Sequence, residues 1–265
     1  KKRSLNDSQF YSHRFLSGVS KSDDSVKEND GPASSQVDEN VKKSKQIDDL
    51  MQYPMNRATR FVFLRTLPMK QQPELAHLDM EELGKRIEKL TESFCAKNEF
   101  RILDERSKTH LHFCGLTAAA WETLSEKIMD TQRVTNMICA GYGVSTNEQP
   151  LVTPSPWITR IALAFSWNKM NAVKRMANNM ALDFGESMKS EVTIDTDSEY
   201  ELKVNRCIYH EFFNHEQVPH LTKIFCALDE SIFKVIDPDS YKIKFSLDST
   251  LASGSDSCKF CLKKC

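Results

Sequence analysis

Glu191-Val192-Thr193-Ile194-Asp195, followed by Glu199-Tyr200-Glu201-Leu202-Lys203-Val204, decides the fold. Apolar residues fall on every second position, Val192 and Ile194 in the first piece and Tyr200, Leu202 and Val204 in the second, before the chain reaches Arg206-Cys207. That period belongs to strands with one buried face, so the two pieces read as strands. Beyond them, Ile208 to Asn214 and Val218 to Ile236 return to helical spacing, joined around Pro219. Tyr241, Ile243, Phe245 and Leu247 then alternate again, and Ser257 to Leu262 can pair with them across the Gly254 turn.

Upstream the pattern is helical. Leu75, Leu78, Leu83, Ile87, Leu90 and Phe94 predict a helix over Leu75 to Lys97. Phe100 to Leu103 and His110 to Phe113, separated by the charged run Asp104 to Lys108, predict a hairpin or bent connector. Thr117 reads as the cap of a second helix running from Ala118 through Ala140 and ended by Gly141 and Gly143. After the Pro150, Pro154 and Pro156 loop, a third helix is expected through Leu182, with a kink near Trp167-Asn168. Arg57 to Leu67 reads as a short buried helix or strand closed off by Pro68. The fold class that follows is α+β, with a helix-rich N-terminal half and a small antiparallel sheet formed mainly by the C-terminal third.

From Lys21 to Asp49 the chain is mostly Ser, Asp, Lys, Glu and Asn, too polar to offset its conformational entropy by burial. Residues 1–50 are therefore read as a tail, disordered or ordered only on a partner, and residues 51–265 as a single domain. In the 265 residues, 40% hydrophobic content fills a core, and 36 Lys+Arg against 37 Asp+Glu leave no broad field for a nucleic acid or an anionic surface. Nucleic-acid binding is not expected. No apolar run approaches the ~20 residues of a membrane crossing, so no transmembrane segment is expected either. Most of the eight cysteines sit in apolar segments, which predicts free thiols in an intracellular, reducing compartment. The chain begins Lys1-Lys2-Arg3 without a methionine, as a processed or truncated product would. Ser12 to Gly18 resembles the arginine-plus-aromatic end of a mitochondrial presequence, which makes that organelle the alternative location.

Eight glycines build neither GxGxxG nor GxxxxGK[ST], and no G-x-S-x-G, H-E-x-x-H or kinase signature occurs. What remains is Cys207-Ile208-Tyr209-His210 opening a helix, Phe225-Cys226-Ala227-Leu228-Asp229, and Thr250-Leu251-Ala252-Ser253-Gly254 leading to Cys258-Lys259-Phe260. Over Lys203 to Leu262 this constellation resembles the C-terminal half of the L-2-amino-thiazoline-4-carboxylate hydrolase-like family. There a strand runs into a cysteine at a helix start, a second cysteine precedes an aspartate, and a Thr-Leu-Ala-x-Gly turn precedes Cys-x-Phe. Asn214-His215-Glu216 departs from that pattern where a glycine is usual, and Lys244 to Leu247 lacks an arginine often found there; both departures bear on substrate recognition.

The resemblance implies a hydrolase that attacks the amidine-like carbon of a small cyclic C=N substrate and opens a thiazoline ring. Cys207 is the candidate nucleophile, since a helix N-terminus and the neighbouring Arg206 favour a thiolate. Asp229 is the candidate acid or base, with His210 as its alternative, and Cys226 and Cys258 complete the candidate set. Each also has a plain reading: buried packing for the cysteines, a helix-surface or capping carboxylate for Asp229, a solvated ring for His210. No cofactor is expected. A weaker similarity to the plant carotenoid isomerases of strigolactone synthesis implies iron, and His210, His215, His220, Cys258 and Cys261 are the donors that iron or zinc would use, although their spacing fits no zinc template. The rival to a small-molecule hydrolase is a non-catalytic accessory subunit that reuses this domain and docks on a large protein assembly, mitochondrial in one version, through its N-terminal tail.

Overall fold

In a computed structural model, residues 63, 64, 67–69, 72–142, 163, 165–233, 236 and 238–265 are described. The tail, the Pro150 to Pro156 loop, most of the Arg57 to Leu67 segment and the first part of the third expected helix lie outside these residues.

Asp79 starts α1 (Met80–Lys97) by accepting the Glu81 N–H at 2.8 Å, and Glu81, Glu82 and Lys97 carry charges of the sign that each helix end favours. The helix buries Leu83, Ile87, Thr91, Phe94 and Cys95, a stripe at helical spacing. Leu75 is also fully buried, but in the turns that precede Asp79 and not in the helix. Buried Asn98 ends α1: its Nδ2 donates to the Phe94 carbonyl at 3.1 Å and to Glu216 Oε1 at 2.7 Å, which ties this end to the C-terminal half of the chain.

Of the hairpin or bent connector expected here, no hairpin forms: Phe100 to Leu103 make a short bent link, and His110 to Phe113 belong to a helix. A 3-10 turn (Glu99–Arg101) leads to Asp104, whose carboxylate accepts the Ser107 N–H at 2.7 Å and caps α2 (Glu105–Ser125). Thr117, expected as a cap, lies buried inside α2, where it shares a 2.8 Å hydrogen bond with the Tyr142 hydroxyl. The helix expected over Ala118 to Ala140 is two helices, since α2 ends at Ser125 and Asp130 caps a new α3 (Thr131–Gly141) through the Arg133 N–H at 3.0 Å. Burial explains both errors. Leu111, His112, Cys114, Leu116, Ala118, Ala119 and Ala120 are all covered, so α2 is enclosed on most sides and shows no amphipathic stripe to read.

Asn168 is a start and not a kink: it accepts the Asn171 N–H at 3.1 Å and opens α4 (Lys169–Phe184). Gly185, at φ 64°, ends that helix in a conformation that glycine tolerates best, and the next N–H, of Glu186, donates to Asp104 Oδ2 at 2.9 Å. A carboxylate at the head of α2 thus fixes the tail of α4.

The remaining elements are β1 (Ser190–Asp195), β2 (Glu199–Val204), α5 (Ile208–His215), a 3-10 turn (Pro219–Leu221), α6 (Thr222–Phe233), α7 (Pro238–Tyr241), β3 (Ile243–Ser249) and β4 (Cys258–Lys264). The strands form one antiparallel sheet in the order β1-β2-β4-β3, so the small C-terminal sheet read from alternation is present. Tyr200, Leu202 and Val204 are buried, while Glu199, Glu201 and Lys203 keep solvent contact. Phe260 lies opposite Leu202 on one side and Leu247 on the other. Phe184 of α4 and Phe233 of α6 approach its ring at 6.5 Å and 6.3 Å, so these two helices cover the apolar face of the sheet. Helix α2 packs against α1, α3, α4 and α5 and forms the centre of the helical layer. Among the described residues no helix is long and apolar enough to cross a membrane.

A Cβ on Gly115 of α2 would stand 2.8 Å from Cys95 Sγ and 3.1 Å from the Thr91 carbonyl, whereas one on Gly84 would meet nothing within 4 Å. Gly115→Ala should therefore destabilise the protein by about 1–3 kcal/mol through overpacking. Gly84→Ala should stabilise it by about 0.5–1 kcal/mol by improving helix propensity. Opposite shifts in thermal midpoint, read by circular dichroism, check the pair; equal shifts would contradict this helix contact.

Candidate functional site

The loop from β2 into α5 sets Cys207 at the N-cap of α5, where the backbone changes from extended to helical. Helix α6 places Thr222, Cys226 and Asp229 at i, i+4 and i+7, on one face, and turns that face toward Cys207. The chain leaving β3 makes a turn in which Thr250 Oγ1 accepts the Ser253 N–H at 3.1 Å and Gly254, at φ 85°, reverses the direction. This turn brings the Leu251 N–H to 3.3 Å from Cys258 Sγ at the head of β4. Cys207, Cys226, Asp229 and Cys258 therefore line one cavity, with Tyr209, Thr222 and Thr250 as further polar wall and with the Phe225 and Phe260 rings among its apolar lining.

The cavity spans about 370 Å³ when the space open to solvent is counted, yet the centre of a water-sized sphere has only about 20 Å³ in which to move. That is room for about one water, so a larger guest enters only if the wall yields. A bigger hollow, about 1220 Å³, lies between Phe165, Trp167, Lys174, Arg175 and Asp195. It is open to solvent and contains none of the candidate residues, which all line the smaller cavity except His210.

Burial dominates the electrostatics. It pushes the Cys207 thiol far above the ordinary range; the His210 backbone N–H works against this, while Asp229, Cys258 and Cys226 add to it. Burial likewise pushes Cys226 up to about 12, with Asp229 and Cys258 adding to the shift, and raises Cys258 despite the Leu251 N–H. The expectation that Cys207 is acidified by its helix end and by Arg206 is thus corrected. Desolvation outweighs the single N–H, and the Arg206 guanidinium is held by Glu211 at 2.7 Å and 3.0 Å.

Burial also raises the Asp229 carboxyl to about 7. The residue retains partial solvent contact, but its carboxyl is packed round by protein, and among the described residues no hydrogen bond or ion pair reaches it. An acid in that state takes or gives a proton near neutral pH.

His210 does not join the cavity: its ring Nε2 lies 3.0 Å from Asn214 Nδ2, and only its backbone faces Cys207. The donors considered for a metal are dispersed. His215 sits against Glu216 at 3.1 Å, and His220 packs its ring on Trp121 at 4.4 Å. Cys261 points away from Cys258 on β4 and donates to Glu201 Oε2 at 3.6 Å. Among the described residues no three His, Cys, Asp or Glu side chains are grouped closely enough to hold a metal ion. Thr222 and Tyr209 were not expected in the site. Thr222 Oγ1 is buried and has no partner among the described residues, and its position one helical turn before Cys226 was the signal that could have revealed it.

Residues 159–262 match the model of the L-2-amino-thiazoline-4-carboxylic acid hydrolase family. The match takes in the resemblance over Lys203 to Leu262 and extends it back through α4; it leaves out α1, α2 and α3. No curated protein matches the chain.

Because the folded-state pKa of Asp229 lies above its unfolded value of 3.8, the native state holds this proton more tightly, and the stability it confers falls as pH rises from about 4 to about 7. Asp229→Asn removes that loss. At pH 8 the variant should be more stable than wild type by on the order of 2–4 kcal/mol, with little difference at pH 4. Urea melts at both pH values measure this, and a variant less stable at pH 8 would show that the carboxylate has a native partner.

Proposed function

We propose that the domain hydrolyses a small cyclic amidine-type substrate, of which an amino-thiazoline carboxylate is the form suggested by the match, with Asp229 as general base and then general acid. The observation that supports this reading is the Asp229 carboxyl itself, placed without a hydrogen-bonding partner among the described residues in a cavity walled by three protonated thiols. A side chain kept at a stability cost in such a place is what acid–base catalysis asks for.

The Asp229 carboxylate takes a proton from a water as its oxygen bonds to the C=N carbon. The tetrahedral carbon then releases one ring heteroatom, which leaves with the proton that Asp229 holds, so one water is consumed and the carboxylate is restored. Water is the better nucleophile than Cys207, since a thiol raised by burial offers almost no thiolate at neutral pH. Cys207, Cys226 and Cys258 then serve as weak donors along the wall, and their free state fits a reducing compartment.

The narrowness of the cavity favours the second reading, a non-catalytic subunit of a larger assembly docking through residues 1–50. Assay of the full chain with 2-amino-thiazoline-4-carboxylate, following ring opening by the release of new thiol, separates the two readings. Turnover should rise with pH through about 7 and then level off, as the base form of Asp229 requires. Asp229→Asn should lower kcat by about 10²–10⁴. Cys207→Ser should stay within roughly tenfold of wild type, whereas a loss of several orders of magnitude would make Cys207 a covalent nucleophile. A folded wild type with no turnover returns the choice to the subunit reading.

A further inference from the structure

His110 of α2 lies outside the matched residues and bridges two elements inside them. Its Nε2 is 2.9 Å from the Asp183 carbonyl at the end of α4, and its Nδ1 is 2.6 Å from the hydroxyl of Tyr209, a residue of the cavity wall. A carbonyl only accepts, so Nε2 must carry the hydrogen. A neutral imidazole then has a bare Nδ1, and the Tyr209 O–H donates to it. With that proton committed to His110, the Tyr209 oxygen meets everything else as an acceptor.

We infer that His110 is a positioning residue of the site: it fixes Tyr209 as a hydrogen-bond acceptor in the cavity wall and so selects a guest that presents N–H groups there. This inference rests on the reading of the cavity as a substrate site and names the recognition chemistry that an amidine or aminothiazoline would satisfy.

Three further observations support it. The Tyr209 ring stacks on Phe225 at 3.9 Å and 12° and meets His110 edge-on at 5.5 Å, so its orientation is held by packing. Tyr209 and Asp229 line the same cavity, and burial first, then Cys114, Asp229 and Cys207, raise the phenol's pKa, so its proton stays on for donation to His110. The groups around His110 also keep it neutral: burial, aided by Arg106, outweighs Asp104, Asp183 and the Asp183 carbonyl, and its pKa falls below the ordinary histidine value. A guest with N–H groups can satisfy both an acceptor oxygen and a carboxylate that line one cavity.

Nitrogen-15 NMR of the histidine rings in the intact chain tests the inference without any need for turnover. At pH 7.5 His110 should show a protonated Nε2 and a pyridine-type Nδ1, and Tyr209→Phe should shift Nδ1 while leaving Nε2 nearly unchanged. A protonated Nδ1 in wild type overturns the proposal whatever the assay shows. Titration with 2-amino-thiazoline-4-carboxylate, followed by intrinsic fluorescence, supplies the second arm. His110→Asn, whose amide oxygen can accept from Tyr209, should bind within about threefold of wild type, whereas His110→Leu, which leaves the hydroxyl free to turn, should bind about tenfold or more weakly. Equal binding by folded His110→Leu and wild type also overturns it. If wild type binds the probe without opening the ring, and both arms come out as expected, the positioning role stands and the catalytic reading falls.

Discussion

The approach of α1 to α2 at Gly115 is the contact from which the other placements follow. A Cβ there would come within 2.8 Å of Cys95 Sγ and 3.1 Å of the Thr91 carbonyl, so the two backbones are as close as a side chain's absence allows. With α2 held there, α1 presents Phe94 to Phe212 of α5 at 6.3 Å, and Asn98 reaches Glu216 just beyond α5. Both contacts grip the helix that starts at Cys207. The same helix α2 delivers His110 to Tyr209 and, through Asp104, fixes the end of α4. The N-terminal helices, which the matched segment leaves out, thus hold the site's walls at their present spacing.

Desolvation shapes the site in two senses at once. The burial that silences the thiols is also what moves the Asp229 carboxyl to about 7, so the same dry surroundings disable one class of nucleophile and equip an acid–base group. A more hydrated cavity would free the thiols and return Asp229 to the ordinary carboxylate range. The chemistry open to this site is therefore set by how much water its walls admit more than by which residues line it.

The sheet was legible because β2 buries alternate residues along its length, and Tyr200, Leu202 and Val204 announce this in the sequence. Helix α2 was not legible, because enclosure by its neighbours erases the contrast between faces, and the polar residues inside it, His112 and Thr117, look like interruptions. The convergence of Cys207, Cys226, Asp229 and Cys258 followed from the resemblance and from helical spacing along α6. His210, the alternative to Asp229, follows Cys207 by three residues, a spacing that shares a face only inside a helix; Cys207 is the extended cap residue, and the ring turns to Asn214. The thiolate expected at Cys207 failed because a helix end can be recognised in sequence, whereas the depth at which it is buried is a property of the whole fold.

The pairing of β3 with β4 shifts by one between Leu247 and Ser249, so Asp248 is an extra residue on β3. Deleting it would leave Leu247 opposite Phe260 and Ser249 opposite Lys259 in regular pairing, and would remove the local bend and extra twist that the bulge gives β3 just before the Thr250 turn. That bend sets the path by which Thr250 reaches the cavity and the Leu251 N–H reaches Cys258. The site thus depends on a count of residues as well as on their identity: an insertion or deletion in this short connection would be poorly tolerated, although a surface loop of the same length would accept one readily.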